Sequence, residues 1–200
     1  MPPPSLQLEI RDLAVRRGPR LLFEGLGFAL SGGEILHLQG ANGAGKTSLL
    51  ETLAGLRRPA AGQVRGLPEE GGLHWLGHRN GLNLNLSVLE NLEFWCGLNG
   101  AGAAACQPAL ERVGIWKLRH RLVRTLSAGQ KRRAALARLL AQRRPLWLLD
   151  EPLDGLDRQG LELFAQLLAE HAAGGGGALV TSHQPLPAGL AGVRILVLNP

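Results

Sequence analysis

One eight-residue stretch, Gly40-Ala-Asn-Gly-Ala-Gly-Lys-Thr47, fits the phosphate-binding loop pattern G-x-x-x-x-G-K-[ST] at every position. The chemistry it offers is that of a nucleoside triphosphate site. Gly40, Gly43 and Gly45 let backbone N–H groups curl round a phosphate, with Ala41, Asn42 and Ala44 between them and Ser48 directly behind. Lys46 supplies a cation for the outer phosphates, and Thr47 supplies a hydroxyl for Mg²⁺. A second stretch, Leu146-Trp-Leu-Leu-Asp-Glu-Pro152, is an apolar run ending in two adjacent carboxylates. Asp150 suits the Mg²⁺ site, and Glu151 is placed to take a proton from water attacking a γ-phosphate, or to orient that water. Taken alone, each stretch has a plainer reading: a glycine-rich turn with a chance lysine, and a solvated acidic turn.

The elements around these residues decide between the readings. Glu34–Gln39 is a short apolar run suited to a buried parallel strand, and the leucines from Thr47 to Leu56 have helical spacing. Strand, glycine loop and helix therefore come in the order a phosphate site needs. Leu6–Ile10 and Leu13–Val15 alternate like strands, Arg17-Gly-Pro-Arg20 is a turn, and Phe23–Leu30 is a further strand. Short strands are expected at 63–65 and 73–77. Ser87-Val-Leu-Glu90 is a capping box for a helix to about Leu98, a second helix runs from Ala103 to Val113, and Ser127 opens a long helix to Gln142. Asp157 caps a helix whose apolar face is Leu161, Phe164, Leu167 and Leu168, and strands follow at 178–181 and 193–198. The expectation is an α/β fold with a mostly parallel sheet, an antiparallel β layer from the first 60 residues, and a helical insertion at about 80–125. Residues 1–200 read as one domain.

Composition bounds the function. Two hundred residues with 45% hydrophobic content suffice for one sizeable core. No apolar run approaches the ~18 residues that span a bilayer, and Met1-Pro-Pro-Pro4 lacks the features of a signal peptide, so the chain is expected in the cytosol. Cys96 and Cys106 show neither C-x-x-C spacing nor a disulfide framework and fit reduced thiols. The net charge is +6, but 19 of the 22 basic residues are arginine and they read as scattered, without interleaved aromatics. That pattern argues for compositional bias and against a nucleic-acid surface.

Leu126-Ser-Ala-Gly-Gln130 resembles the signature motif of ABC-type ATPases, and the resemblance extends over the whole chain. It implies a P-loop NTPase of ABC ATPase type that binds ATP with Mg²⁺ and works as a homodimer. In that family the signature residues, here Ser127, Ala128, Gly129 and Gln130, close over the nucleotide held by the other subunit. Gly155-Leu-Asp157 matches the D-loop, with Asp157 at its end, and Thr181-Ser-His183 puts His183 where the family has its switch histidine. Arg79 occupies the Q-loop position, where the family has glutamine, and Arg17 occupies the position of the aromatic residue that stacks on adenine; a guanidinium also lies flat on a base.

Leu76-Gly-His-Arg-Asn-Gly81, Leu89-Glu-Asn-Leu-Glu-Phe-Trp95 and Leu126–Arg133 followed by Ala-Leu-Ala-Arg138 are similar, more narrowly, to the ATP-binding subunit family of the cytochrome c biogenesis haem exporter, the CcmA family. Ala128 agrees with that narrower family. The resemblance implies docking on integral membrane subunits at the cytoplasmic face of a bacterial inner membrane. No C-x-x-C-H attachment signal occurs, and His74, His78 and Cys96 are more naturally explained by packing than as haem ligands, so the chain itself is expected to bind no haem. The rivals are the ATPase subunit of another ABC exporter, a soluble ABC ATPase acting on nucleic acid or ribosomes, and a non-hydrolysing regulatory module.

Overall fold

The structure is a computed structural model and describes residues 6–69 and 71–198. The chain divides into two compact units, the first built from residues 1–77, 145–152 and 165–200 and the second from 78–144 and 153–164.

The first unit contains two sheets. Strands β1 (Gln7–Arg17), β2 (Arg20–Ser31) and β4 (Ala61–Arg65) form an antiparallel sheet in the order β2-β1-β4. The two runs expected at 6–10 and 13–15 are one strand, because a register shift between Ile10 and Leu13, with Asp12 at positive φ, absorbs the break in alternation. Strands β3 (Ile35–Gln39), β5 (Leu73–Leu76), β6 (Leu146–Leu149), β7 (Gly177–Thr181) and β8 (Val193–Val197) form a wholly parallel sheet in the order β5-β6-β7-β3-β8. Every residue of β6 and β7 is buried, which is why they read as unbroken apolar runs. Helix α1 (Lys46–Leu53) packs on β1, β6 and β7 through Leu49, Leu50 and Leu53, all fully buried, each burial contributing roughly 2 kcal/mol. Because β7 lies between β6 and β3, its carboxyl end lies between the strand that feeds the glycine loop and the strand that ends in Asp150.

The second unit is helical. Helices α2 (Val88–Leu98) and α3 (Cys106–Arg112) both pack on α4 (Ala128–Ala141), and the first turns of α5 (Arg158–Ala173) belong here as well. The segment read as an insertion, 80–125, lies inside a unit that continues through α4. Both expected capping boxes are present: Ser87 with Glu90 on α2, and Ser127 with Gln130 on α4. The helix expected from Ala103 begins as a 3-10 turn at Ala103–Ala105. Leu92 is in the core of this unit, whereas Phe94 is exposed and Trp95 half-buried beneath the Arg144 guanidinium. Ten residues apart in sequence, Cys96 and Cys106 are free buried thiols with their Sγ atoms 3.6 Å apart. Burial, and next the Cys96 thiol, push Cys106 up to about 12, so the pair is held protonated.

Candidate functional site

The phosphate loop sits between β3 and α1 and is shaped by glycine where no other residue fits. Gly45 caps α1 at φ 106, and a Cβ there would come within 3.1 Å of Leu22 and Phe23. The amides of Lys46, Thr47 and Ser48 start the helix and by geometry lack intrahelical acceptors. Lys46 is buried, and its ammonium folds back on the loop, donating to the carbonyls of Gly40 at 2.7 Å and Ala41 at 3.3 Å. The Thr47 hydroxyl donates to Asp150 Oδ2 at 2.9 Å. The loop is thus a concave backbone surface with one cation and one hydroxyl–carboxylate pair at its rim.

Thr181, at the end of β7, ties the Asp150 carboxylate to the backbone of Glu151. Its hydroxyl donates to Asp150 Oδ1 at 2.8 Å and accepts the Glu151 backbone N–H at 2.9 Å. Glu151 is a non-glycine residue at φ 48, a conformation that costs on the order of 1 kcal/mol or more and persists only where surroundings fix it. Two contacts fix it here: Thr181 holds its N–H, and the His183 N–H donates to Glu151 Oε2 at 3.1 Å. The His183 ring is exposed, with Nε2 3.5 Å from Glu151 Oε1. Beneath them His37 donates from Nε2 to the Ser182 carbonyl at 3.4 Å while Nδ1 accepts from Gln39 at 3.2 Å. Burial holds the His37 ring below the usual histidine range, against the opposing pull of the Ser182 carbonyl and the Glu151 charge. His37 carries no motif, and Thr181 enters the sequence only as the residue that opens the switch stretch; the strand order brings both to the site.

Hydroxyl and carboxylate oxygens at Thr47 and Asp150 are the hard donors that Mg²⁺ takes, and they lie 2.9 Å apart beside the loop. The residues present therefore fit that ion. Arg17 is exposed where β1 turns into β2 and makes no side-chain hydrogen bond among the described residues.

The second unit carries the other expected residues. Ser127 is exposed at the N-terminus of α4, its Oγ accepting from the Gln130 N–H at 3.2 Å while Gln130 Oε1 accepts from the Ser127 N–H at 3.0 Å. A Cβ at Gly129 would lie 2.8 Å from the Gly155 carbonyl, so the two segments touch through backbone. Arg133 donates to Asp157 Oδ1 at 2.7 Å, and the same oxygen caps α5 through the Gly160 N–H at 2.8 Å. The Arg133 hydrogen bond, then that of Gly160, holds the Asp157 carboxyl below its ordinary range. Ser127, Ala128, Gly129, Gln130, Gly155 and Asp157 line one cleft of about 460 Å³. Arg79 is exposed, next to an anchored residue: Asn80 Oδ1 accepts from the buried Arg132 at 2.9 Å and the Asn80 carbonyl accepts from Arg138. Burial, with repulsion from Arg132, brings Arg138 down to about 10.

Of the histidines and cysteine weighed as haem ligands, His74 is buried edge-on to the Trp147 ring, His78 lies 3.7 Å from Asp154, and Cys96 faces Cys106. No helix among the described residues is long and apolar enough to cross a membrane.

Residues 23–154 match the model of the ABC transporter family. The chain is 47% identical to the cytochrome c biogenesis ATP-binding export protein CcmA of Rhodopseudomonas palustris, across 88% of this chain and 91% of that protein. It is 46% identical to the protein of the same name from Rhodobacter capsulatus, across 96% of this chain and 87% of the relative. Among solved structures, an ABC transporter ATP-binding protein of Pyrococcus furiosus superposes with a TM-score of 0.81 at 26% identity, covering 95% of this chain and 97% of the other.

Proposed function

The chain belongs to the ABC transporter family and to its cytochrome c biogenesis ATP-binding export group, and from that premise we propose that it drives a haem exporter serving c-type cytochrome assembly. It is an ABC-type ATPase. The observation that carries the reading is the bonded series Thr47–Asp150–Thr181–Glu151, which gathers a hydroxyl, a fixed carboxylate and a strained, pinned glutamate beside the phosphate loop.

Lys46 leaves its own loop carbonyls to hold the outer phosphates, while loop amides from Gly40 to Ser48 take the remaining oxygens. Thr47 and Asp150 hold Mg²⁺, which when bound neutralises charge on the β- and γ-phosphates. Glu151 orients the attacking water and accepts its proton, and His183 contacts the γ-phosphate from beside it. Ser127 of the partner subunit closes the site, with its helix N-terminus directed at the phosphates and Asp157 shaping the D-loop beside it. Binding of ATP closes a homodimer and hydrolysis reopens it. Arg17 lies flat on the adenine. Residues 1–200 act as one ABC ATPase domain.

The loop and helix from Gly77 to Leu98, with exposed Arg79 and Phe94, dock on an integral membrane subunit at the cytoplasmic face of the inner membrane. The chain supplies free energy and does not ligate haem. Affinity purification from membranes tests the assembly: a polytopic membrane subunit should co-purify, and crosslinks from 77–98 solely to other cytosolic proteins would contradict it. Haem titrated into the isolated chain should give no saturable ligated-iron spectrum; a stoichiometric, His78-dependent one would overturn the division of labour.

A further inference from the structure

The positive charge of this chain is local. No acidic residue occurs between Glu111 and Asp150, and eleven of the twenty-two lysines and arginines fall in that interval, leaving eleven against sixteen acids in the remainder. The expectation of a scattered basic surface is corrected accordingly. Most cations of the interval fall into two groups. Three on α4 turn inward, Arg132 and Arg138 onto Asn80 and Arg133 onto Asp157, and after α4 Arg144 lies over Trp95 while Arg143 is exposed. Those before α4 turn outward: Arg112, Lys117, Arg121 and Arg124 are exposed, and Arg119 stacks at 4.5 Å over the half-buried Trp116 ring.

The outward group is held in place along the approach to α2. The Val88 and Leu89 N–H groups donate to the carbonyls of Arg121 and Arg119, and the Arg124 N–H donates to the Leu84 carbonyl. Beside these cations, therefore, lies Leu84, 51% exposed, and on α2 follow Phe94 and Leu98, one turn apart and 63% and 71% exposed. Basic side chains flanking a segment docked on an integral membrane subunit lie within reach of anionic headgroups. An acidic peptide would answer the charge and give no reason for its place beside that segment. Single-stranded nucleic acid needs open aromatic faces among the cations, and the one Phe, Tyr or Trp between Arg112 and Arg124 is Trp116, whose ring is covered by Arg119.

We infer that the outward cations of the strip Arg112–Arg124 are a contact surface for anionic lipid headgroups beside the docking segment of residues 77–98. It rests on the reading of the chain as an ATPase that works against a membrane. One cation near an anionic leaflet is worth about a fivefold change in binding.

The test is co-sedimentation of the full chain with vesicles of mixed phosphatidylglycerol and phosphatidylcholine, against vesicles of phosphatidylcholine alone. Binding should require phosphatidylglycerol and fall steeply from about 0.05 M to about 0.5 M salt. Combined Lys117→Gln, Arg121→Gln and Arg124→Gln should weaken it roughly a hundredfold with ATPase activity unchanged. An equal loss of charge on the antiparallel sheet, Arg11→Gln, Arg20→Gln and Arg65→Gln, should have a far smaller effect. Equal binding to neutral vesicles, equal loss in the control variant, or tighter capture by polyglutamate or an oligonucleotide overturns the inference. These outcomes leave the ATPase reading intact, since that reading fails only on loss of nucleotide turnover in the unsubstituted chain. The salt dependence of the unsubstituted chain decides the matter even where the triple variant folds poorly.

Discussion

Thr181→Val separates a structural from a catalytic role for the residue that joins the Asp150 carboxylate to the Glu151 backbone. Valine keeps the shape of threonine and removes its hydroxyl, which here donates to Asp150 Oδ1 and accepts from the Glu151 N–H. Thr181 is fully buried, so water does not replace either bond. A hydrogen bond to a carboxylate is worth about 1.5–3 kcal/mol and a neutral one about 1 kcal/mol. The added methyl group returns about 0.8 kcal/mol. The net cost is therefore roughly 2–3 kcal/mol, which a domain of ordinary stability survives. The effect on turnover should exceed that of a remote substitution with equal cost, because Glu151 loses the contact that pins its strained backbone at φ 48. Urea unfolding should show the stability loss, and steady-state ATPase of the folded variant should show kcat lowered about tenfold or more with KM little changed. Thr181→Ser, which restores the hydroxyl, should recover most of both. A valine variant within about 0.5 kcal/mol of the unsubstituted protein and with full kcat would refute the bridging role.

Glu151→Gln should keep ATP affinity, lose about a hundredfold or more in turnover and accumulate an ATP-stabilised dimer in size-exclusion chromatography; multi-turnover hydrolysis near the normal rate would remove Glu151 from its role. Ser127→Arg should leave nucleotide binding by the monomer intact while blocking ATP-dependent dimerisation, measured by light scattering; normal hydrolysis by a monomeric variant would exclude a site completed in trans. His171 stacks on Trp147 at 3.9 Å and donates to the Gly177 carbonyl, and burial lowers it from the usual range to about 4. Since its folded value lies below its unfolded one, its contribution is complete above about pH 6.5 and is lost as the pH falls towards about 4. The loss should total about 3 kcal/mol by urea unfolding and be absent in His171→Phe.

What the sequence revealed were features whose signal is local. The eight residues of the phosphate loop, the capping boxes at Ser87 and Ser127, and the apolar run before Asp150 each announce themselves within a single element. Thr181 does not, because its place beside Asp150 follows from β7 lying between β6 and β3, a pairing of segments far apart in the chain. The positive φ of Glu151 and the tautomer-consistent bonds of His37 are likewise products of tertiary contact. Leu92 and Phe94 look alike in an aromatic-rich helix, and only packing on α4 shows that one is core and the other surface. Arg132, buried with its charge on Asn80, is the clearest departure from what residue type alone leads one to expect.

The claim that this ATPase drives haem export for c-type cytochromes is tested most directly in the cell. A strain whose only copy carries Lys46→Ala should accumulate the protein normally, keep its b-type haem, and show no covalent haem in its c-type cytochromes by haem-stained gel. Unimpaired c-type cytochrome maturation in that strain would contradict the account.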